Sequence, residues 1–422
     1  MVHRIVRLVL LASAWLGVAP QATAQDSGAP NVPNEEATLI SAFLNSPALT
    51  AALDAAAART AAASVAIVDL TNPEVAYRHE DARGEAGART DAVVGTVTVD
   101  LGFVAAGERR AARQRGEAGA LWTRNELSGA VCGLRRDLGE LAFSDRESAV
   151  RRTAQRRLEV LGSSLLQLAE AGEASGYDRD RTLLAVSSHR IALATSDGAA
   201  QGRRNTLSAR LGVPLGTVEL AAPVEPPPSD ALVEQALASH PELLALRLEQ
   251  KAARTAESAA RRTAAPDLTL SGGARFDAPP ERGPATPGFE VGVAIELPLF
   301  STGKAEAYRA ESARAQVTAE LAQREAEIAA DVSSAWSRLA TARSLGGLGA
   351  DPEVVWAAAQ ERFSGGEASI DELLQTARDV EEAQLGALAA GRMLRAAYVD
   401  VWCATATHPE PGIAQAIEES LR

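Results

Sequence analysis

The chain has 422 residues, a formal net charge of −13, 46% hydrophobic residues and only 4% aromatics. The acidic balance argues against a nucleic-acid partner. Abundant Ala, Leu and Val with so few aromatics favour long, closely packed helices over a large aromatic core.

The first stretch opens with basic residues (His3, Arg4, Arg7), runs apolar from about Leu8 to Val18, and reaches Ala22-Thr23-Ala24 before Gln25. This is the pattern of a secretory signal peptide over residues 1–24, too short in its apolar run to cross a bilayer comfortably. The mature chain is therefore expected to be exported. No Cys follows the cleavage position, so N-terminal lipidation is not indicated.

Residues 25–34 hold Pro30 and Pro33 and read as a linker. An Ala-rich helix is then expected from about Glu35 to Thr71, ending before Pro73. There the period changes from helical to alternating. Strands are predicted over 73–80 and 92–103; in the second, Val97, Val99, Leu101 and Phe103 oppose Thr96, Thr98, Asp100 and Gly102. A helical stretch from Ala106 to Ala142 is expected to break near Ser144-Asp145-Arg146 and resume to Ala171, making an antiparallel hairpin with its tip at that break. Gly172-Glu173-Ala174-Ser175 interrupts the returning helix, with Ser175 a candidate N-cap. The first half, 35–220, closes at Leu211-Gly212-Val213-Pro214, and a Pro-rich linker occupies 221–228.

The second half, 229–408, follows the same order: a helix to about Ala265, strands over 266–277 and 288–300, and a long helix from Gly303 to Arg343. That helix breaks at SLGGLGADP, resumes from Pro352 to Phe363, and meets a second Gly-Glu-Ala-Ser at Gly366–Ser369. In 288–300, Phe289, Val291, Val293, Ile295, Leu297 and Leu299 face away from Glu290, Gly292, Ala294, Glu296 and Pro298. Residues 409–422 form a C-terminal tail.

The halves are copies. The two Gly-Glu-Ala-Ser stretches lie 194 positions apart (172 to 366), as do Pro47 and Pro241. Ala57–Thr60 recurs as Ala252–Thr255, Pro73 answers Pro266, and Asp100–Ala112 aligns with Glu296–Tyr308. Matches in one order with nearly constant spacing mark an internal duplication.

The strands are as long as a membrane barrel wall is high, although a soluble antiparallel sheet with one wet face shows the same alternation. Only four are predicted, and a membrane barrel needs roughly eight or more to close without an edge. Either the sheet lies outside a membrane or several chains share one barrel. No stretch after the signal is apolar for the length of a spanning helix.

Catalytic and metal-binding patterns are absent. The five His residues are scattered, and Cys132 and Cys403 have no third ligand; both remain open to pairing or to burial as free thiols. The glycine-rich SLGGLGADP follows a helix and lacks Lys, and no nucleophile elbow or dinucleotide fingerprint occurs. Neither an enzyme nor a cofactor is expected, and Gly172, Ser175, Gly366 and Ser369 read as structural helix breaks.

The duplicated order, together with HPELLAL at 240–246, APDLTLSGG at 265–273, ELPLFSTGK at 296–304 and RFSGGEASIDELLQTARDVEEAQL at 362–385, resembles the TolC-like outer-membrane efflux proteins. The first copy is more degenerate, with Gly102 standing where the second has Pro298. The resemblance implies a mainly helical channel with a small membrane β-barrel, built as a homotrimer in which each chain supplies four strands. It implies an outer-membrane location, a helical tube reaching into the periplasm, and passive conduction of cargo from an inner-membrane pump through a periplasmic adaptor. On that reading Thr96, Thr98, Asp100, Thr269, Ser271, Glu290 and Glu296 line the pore. Asp145, Asp331 and Asp351 are candidates for the periplasmic entrance or the hairpin tips, and the two GEAS breaks fall in the equatorial region. The run from Glu372 to Leu385 and the start of the first long helix, Gly107 to Ala112, are most similar to the cation-efflux (Czc-type) branch. Drug-efflux and type I secretion channels share the architecture. A non-conducting periplasmic scaffold or adaptor is the rival of another class, though adaptors carry one hairpin rather than two.

Overall fold

The computed structural model describes residues 34–65, 74–81, 89–100, 103–172, 175–263, 265–278, 284–296, 303–345, 351–409 and 411–420. The signal peptide and nearly all of the 25–34 linker lie outside the described residues, as do 101–102 and 297–300 near the ends of the strands predicted to reach 103 and 300; Phe103 is instead the N-cap of the helix that follows.

Each half opens with a helix pair rather than the single helix expected. The first gives α1 (Glu36–Leu44) and α2 (Pro47–Val65), the second α5 (Ser229–Ser239) and α6 (Pro241–Ala260). Proline explains both divisions. Pro47 and Pro241 lack an N–H and push the preceding residue out of the helical region, yet their fixed φ suits the first position of a new helix.

Strands β1 (Glu74–Asp81), β2 (Arg89–Asp100), β3 (Asp267–Ala278) and β4 (Thr286–Glu296) form one antiparallel sheet in chain order. The two halves meet at β2–β3, where Asp100 pairs Asp267 and Arg89 pairs Ala278. A close approach there requires glycine: a Cβ on Gly273 would stand 2.2 Å from the carbonyl oxygen of Val93.

Each even strand leads into a long helix. α3 runs from Val104 to Glu170, 67 residues without interruption, about 100 Å at 1.5 Å per residue. It is followed by α4 (Gly176–Leu211), and β4 by α7 (Lys304–Ser344), α8 (Pro352–Ser364) and α9 (Ile370–Ala404); a last helix, α10, spans Pro411–Ser420. Below the sheet α6 lies between α3 and α7. Trp122 donates to Glu249 at 2.7 Å and Thr255 to Gln114 at 3.1 Å, while Arg247 bonds Glu325 at 2.9 Å.

The positions of the turns correct the sequence reading. No break occurs at Ser144-Asp145-Arg146: the Ser144 hydroxyl donates back to the Glu140 carbonyl at 2.8 Å inside a continuous helix. A serine–aspartate pair can cap a helix, but with no proline or glycine beside it the helical ladder prevails. The reversal lies instead at the first Gly-Glu-Ala-Ser. Ser148 contacts Ser196, Arg152 pairs Asp197, Arg190 pairs Glu159 and Arg210 pairs Asp137, so α3 and α4 are antiparallel about residues 173–174. In the second half Gln384 bonds Glu353 and Arg338 approaches Asp400, which sets both α8 and α7 antiparallel to α9 about residues 368–369. The two GEAS stretches are therefore the hairpin tips, not equatorial breaks. SLGGLGADP divides one arm of the second hairpin without reversing it; its residues 346–350 lie outside the described residues.

The core holds the middle of the layer together. Leu232, Leu243, Leu246, Ile328, Val332, Leu339 and Val401 form one buried cluster joining α5, α6, α7 and α9. Toward the tips, Leu158, Leu161, Val186, Trp356, Leu373 and Leu374 pack the hairpins against each other. The deepest polar contact lies between the halves. Glu36, fully buried, accepts from Arg135 at 2.9 Å and from the Ala221 N–H at 2.9 Å, and pairs with Arg395, which donates to the Ala221 carbonyl at 3.0 Å. One carboxylate thereby ties α1, the inter-repeat linker, α3 and α9.

Candidate pore wall and hairpin tips

Residues opposite one another in an antiparallel pair share a face, so the register assigns each strand residue to one of two surfaces. One surface carries Val75 and Tyr77 of β1, Val93 and Val97 of β2, Leu268 and Leu270 of β3, and Phe289, Val291, Val293 and Ile295 of β4. It is bare: Phe289 is 87% exposed and Val291 74%. Four register rows of this surface, from Leu268 and Ile295 to Ala274 and Phe289, are free of charged side chains and span roughly 20 Å along the strands, and a fifth sets Phe276 and Pro287 beside Asp91 and His79. Tyr77, Phe276 and Phe289 gather toward one end of it. An apolar band approaching 25 Å in height with aromatics at its edge is what a lipid-facing barrel wall presents.

The opposite surface is polar. Thr96 lies opposite Ser271, and Thr98 opposite Thr269 with their hydroxyls 3.4 Å apart. Thr90 donates to Asp277 at 2.8 Å. Arg78 on β1 comes within 3.8 Å of Glu290 on β4, although two strands lie between them. The sheet is thus curled with its polar surface inward. Thr96, Thr98, Thr269, Ser271 and Glu290 fall on that surface, and Asp100 and Glu296 share a register row with Asp267 on it. Ala92 and Val94 also fall there, buried by the curl. Among the described residues both outer strands, β1 and β4, have one edge without a partner strand in the sheet.

The tips are built alike. Gly172 and Gly366 adopt left-handed φ values of 80° and 76°, a conformation glycine reaches without a Cβ penalty. Ser175 accepts from the Asp178 N–H at 3.1 Å. Ser369 forms a reciprocal capping box with Glu372: the Glu372 N–H donates to its hydroxyl at 3.3 Å and the Ser369 N–H to the Glu372 carboxylate at 2.9 Å. Just behind the tips Arg181 of α4 pairs with Asp371 of α9.

The three aspartates assigned to the tips lie elsewhere. Asp145 is 27 positions before Gly172, paired with Arg204 at 2.5 Å on the wall of the first hairpin. Asp331 lines a cavity at the level of Asp400. Asp351 is the N-cap of α8, accepting from the Glu353 N–H at 2.9 Å, well short of the reversal.

Further along the wall, His189 of α4 bonds Glu381 of α9 at 2.6 Å, and Arg151 of α3 stands 3.6 Å from the same carboxylate. The Glu381 contact raises the His189 pKa above its ordinary value despite partial burial. Arg157 pairs with Glu353, holding that carboxyl below the usual range, and lies over the Trp356 ring at 5.4 Å. His408 is half-buried with Ser128 at 3.0 Å, and its partial burial pushes its pKa down to about 4. Cys132 and Cys403, left open by the sequence, form a disulfide between α3 and α9, with Cα atoms 5.8 Å apart. The sequence separation of 271 residues hides it, as it hides the Glu36 network. Among the described residues no group of three or more His, Cys, Asp or Glu could hold a metal ion, and no single helix is long and apolar enough to cross a membrane.

Residues 232–401, nearly the whole second half, match the Outer membrane efflux protein family. No curated protein sequence matches the chain. Solved structures resemble it over almost its full length. The outer membrane protein VceC of Vibrio cholerae superposes with a TM-score of 0.69 at 15% identity, covering 89% of this chain and 97% of that one. The CmeC outer membrane channel of Campylobacter jejuni gives 0.70 at 11%, covering 96% and 94%. The MtrE outer membrane channel of Neisseria gonorrhoeae gives 0.67 at 15%, covering 92% and 95%.

Proposed function

From a chain whose second half matches the outer membrane efflux protein family and which shares the fold of solved outer-membrane channels, we infer one wall segment of a three-chain outer-membrane duct. The observation that carries this reading is the sheet: four strands, an exposed apolar outer surface, a polar inner surface and two unpartnered edges. In water that combination exposes apolar area and invites uncontrolled edge pairing. In a bilayer the apolar surface meets lipid, and pairing β4 of one copy with β1 of the next satisfies both edges. Three copies give twelve strands, within the range of closed membrane barrels.

The chain then acts as a passive conduit. Cargo enters at the end bearing the GEAS tips, delivered by an inner-membrane pump through a periplasmic adaptor, and leaves past Thr96, Thr98, Thr269, Ser271 and Glu290. Entrance selectivity belongs to the tip residues rather than to Asp145, Asp331 and Asp351. The similarity of Glu372–Leu385 to the cation-efflux branch supports heavy-metal cations as cargo, which loss of metal tolerance on deleting the gene would check. The disulfide suits an exported protein, since such bonds persist in oxidising compartments. The test of conduction is a planar lipid bilayer. Purified protein is expected to give discrete ion-conducting steps; insertion-competent protein without conductance would instead favour a scaffold.

A further inference from the structure

Behind the tips, polar bridges tie the first hairpin to the second. Arg157 of α3 pairs with Glu353 of α8, whose carboxylate also accepts from Gln384 of α9 at 2.8 Å. One turn away on α9, Glu381 is bonded by His189 of α4 at 2.6 Å, roughly 20 Å back from the tips. Of the two arms of the first hairpin, α4 is the less firmly packed here. The buried cluster takes Leu158, Leu161 and Leu165 from α3 but only Ala185 and Val186 from α4, whose Leu184 and Ile191 are 72% and 70% exposed. The attachment of α4 to α9 therefore leans on polar contacts: the exposed Arg181–Asp371 pair, of a kind that contributes little in water, and the half-buried His189–Glu381 bond.

The second of these contacts depends on a proton. Nε2 of His189 faces the Glu381 carboxylate at 2.6 Å and Nδ1 faces the Ala185 carbonyl at 3.2 Å, and neither oxygen has a hydrogen to give. A neutral imidazole carries one N–H, so only the imidazolium donates to both. The Glu381 contact favours that charged form; partial burial and Arg378 of α9 oppose it without prevailing. On α3, Arg151 stands 3.6 Å from the other Glu381 oxygen and is itself bonded to Glu147 at 3.0 Å; on α4, the neighbouring Arg190 is turned to Glu159 at 3.4 Å. When His189 loses its proton, a bare lone pair faces one of its two oxygens, while Arg151 still joins α3 to Glu381. The loss falls on α4.

We propose that His189 is a proton-operated latch that fastens α4 to α9 behind the tips, so that the first tip is held against the second while His189 is charged and released when it is neutral. The latch stands on these contacts; its bearing on the width of the cargo entrance rests on the channel reading above. The contact is complete below the ordinary histidine value of about 6.5 and is lost as pH rises through the higher folded value.

The test is a spin-label distance between the tips of the full-length assembled protein, with labels on Asp180→Cys and Glu367→Cys, both exposed positions outside the latch. Cys132 and Cys403 are joined to each other and take no label, and an excess of unlabelled chains in the assembly keeps the reading within one chain. Between about pH 6 and about pH 9.5 the distance distribution with His189 in place should lengthen and broaden. His189→Lys, charged across that range, should keep the short distance at both ends; His189→Gln should give the long, broad distribution at both. Should these variants fail to assemble, the pH comparison with His189 in place decides. A distribution indifferent to pH, or a His189→Lys protein that still opens, would overturn the latch while leaving the channel reading standing. Wild-type protein that inserts in a planar bilayer but carries no current would overturn the channel reading, and the distances would still decide the latch.

Discussion

Replacing Glu36 by Gln perturbs the joint that holds the two repeats together. The Glu36 side chain is fully buried, and the guanidiniums of Arg135 and Arg395 that face it are 2% and 8% exposed. With a neutral amide in place of the carboxylate, the two buried guanidiniums lose the anion they share. Removing one partner of a buried ion pair costs about 3–5 kcal/mol, and here two pairs share that partner. For an unfolding slope of about 3 kcal/mol per molar urea, the midpoint should fall by at least roughly 1 M. Trp402, whose indole donates to the linker carbonyl of Val224, supplies the fluorescence signal for an unfolding titration in detergent. A variant removing all three charges, Glu36→Leu with Arg135→Met and Arg395→Met, should lose less than Glu36→Gln alone, because both buried guanidiniums go with the carboxylate. A Glu36→Gln midpoint that does not move, or a triple variant worse than the single one, would refute the reasoning.

Other outcomes follow from local geometry. Reducing the Cys132–Cys403 bridge, or replacing both cysteines by Ser, opens a loop of 271 residues, for which chain entropy predicts a loss of about 6 kcal/mol; unchanged urea resistance under reductant would contradict that. Ser369→Ala removes the capping box of α9 and should cost about 1 kcal/mol, with hydrogen exchange accelerating first at the Ile370–Thr376 end. Gly273→Ala drives a Cβ into the Val93 carbonyl and should abolish assembly of the sheet, read as loss of protein from the outer-membrane fraction. The two perturbed histidines act in opposite directions with pH. His189, raised by Glu381, contributes stability that is present below its unfolded pKa and lost as pH rises through its higher folded value; His189→Gln should flatten that fall. His408, depressed to about 4, contributes stability present above about pH 6.5 and lost as pH falls toward 4, so a stability profile over that window should be flatter for His408→Asn.

The strands were legible because an apolar–polar alternation of period two has one physical meaning: two faces in unlike surroundings. The duplication was legible because landmarks such as Pro47 and Pro241 keep both order and distance. The hairpin tips were misplaced because a helix reversal is decided by which helices pair, a long-range fact. Ser144-Asp145-Arg146 has the composition of a break, yet Ser144 bonds back within α3, while Gly172 and Gly366 take the left-handed turns. Asp145, Asp331 and Asp351 were drawn to the tips by that error. The disulfide and the Glu36 joint connect residues far apart in the chain, so no local pattern announces them.

The account stands most directly on the number of chains in the assembled protein. Extracted from outer membranes in mild detergent, the mature protein should run unheated as a complex of three chains by light scattering and separate into single chains on boiling. A single chain recovered from the soluble periplasmic fraction, or a stable complex of any other number, would contradict a barrel made by sharing four strands among three copies.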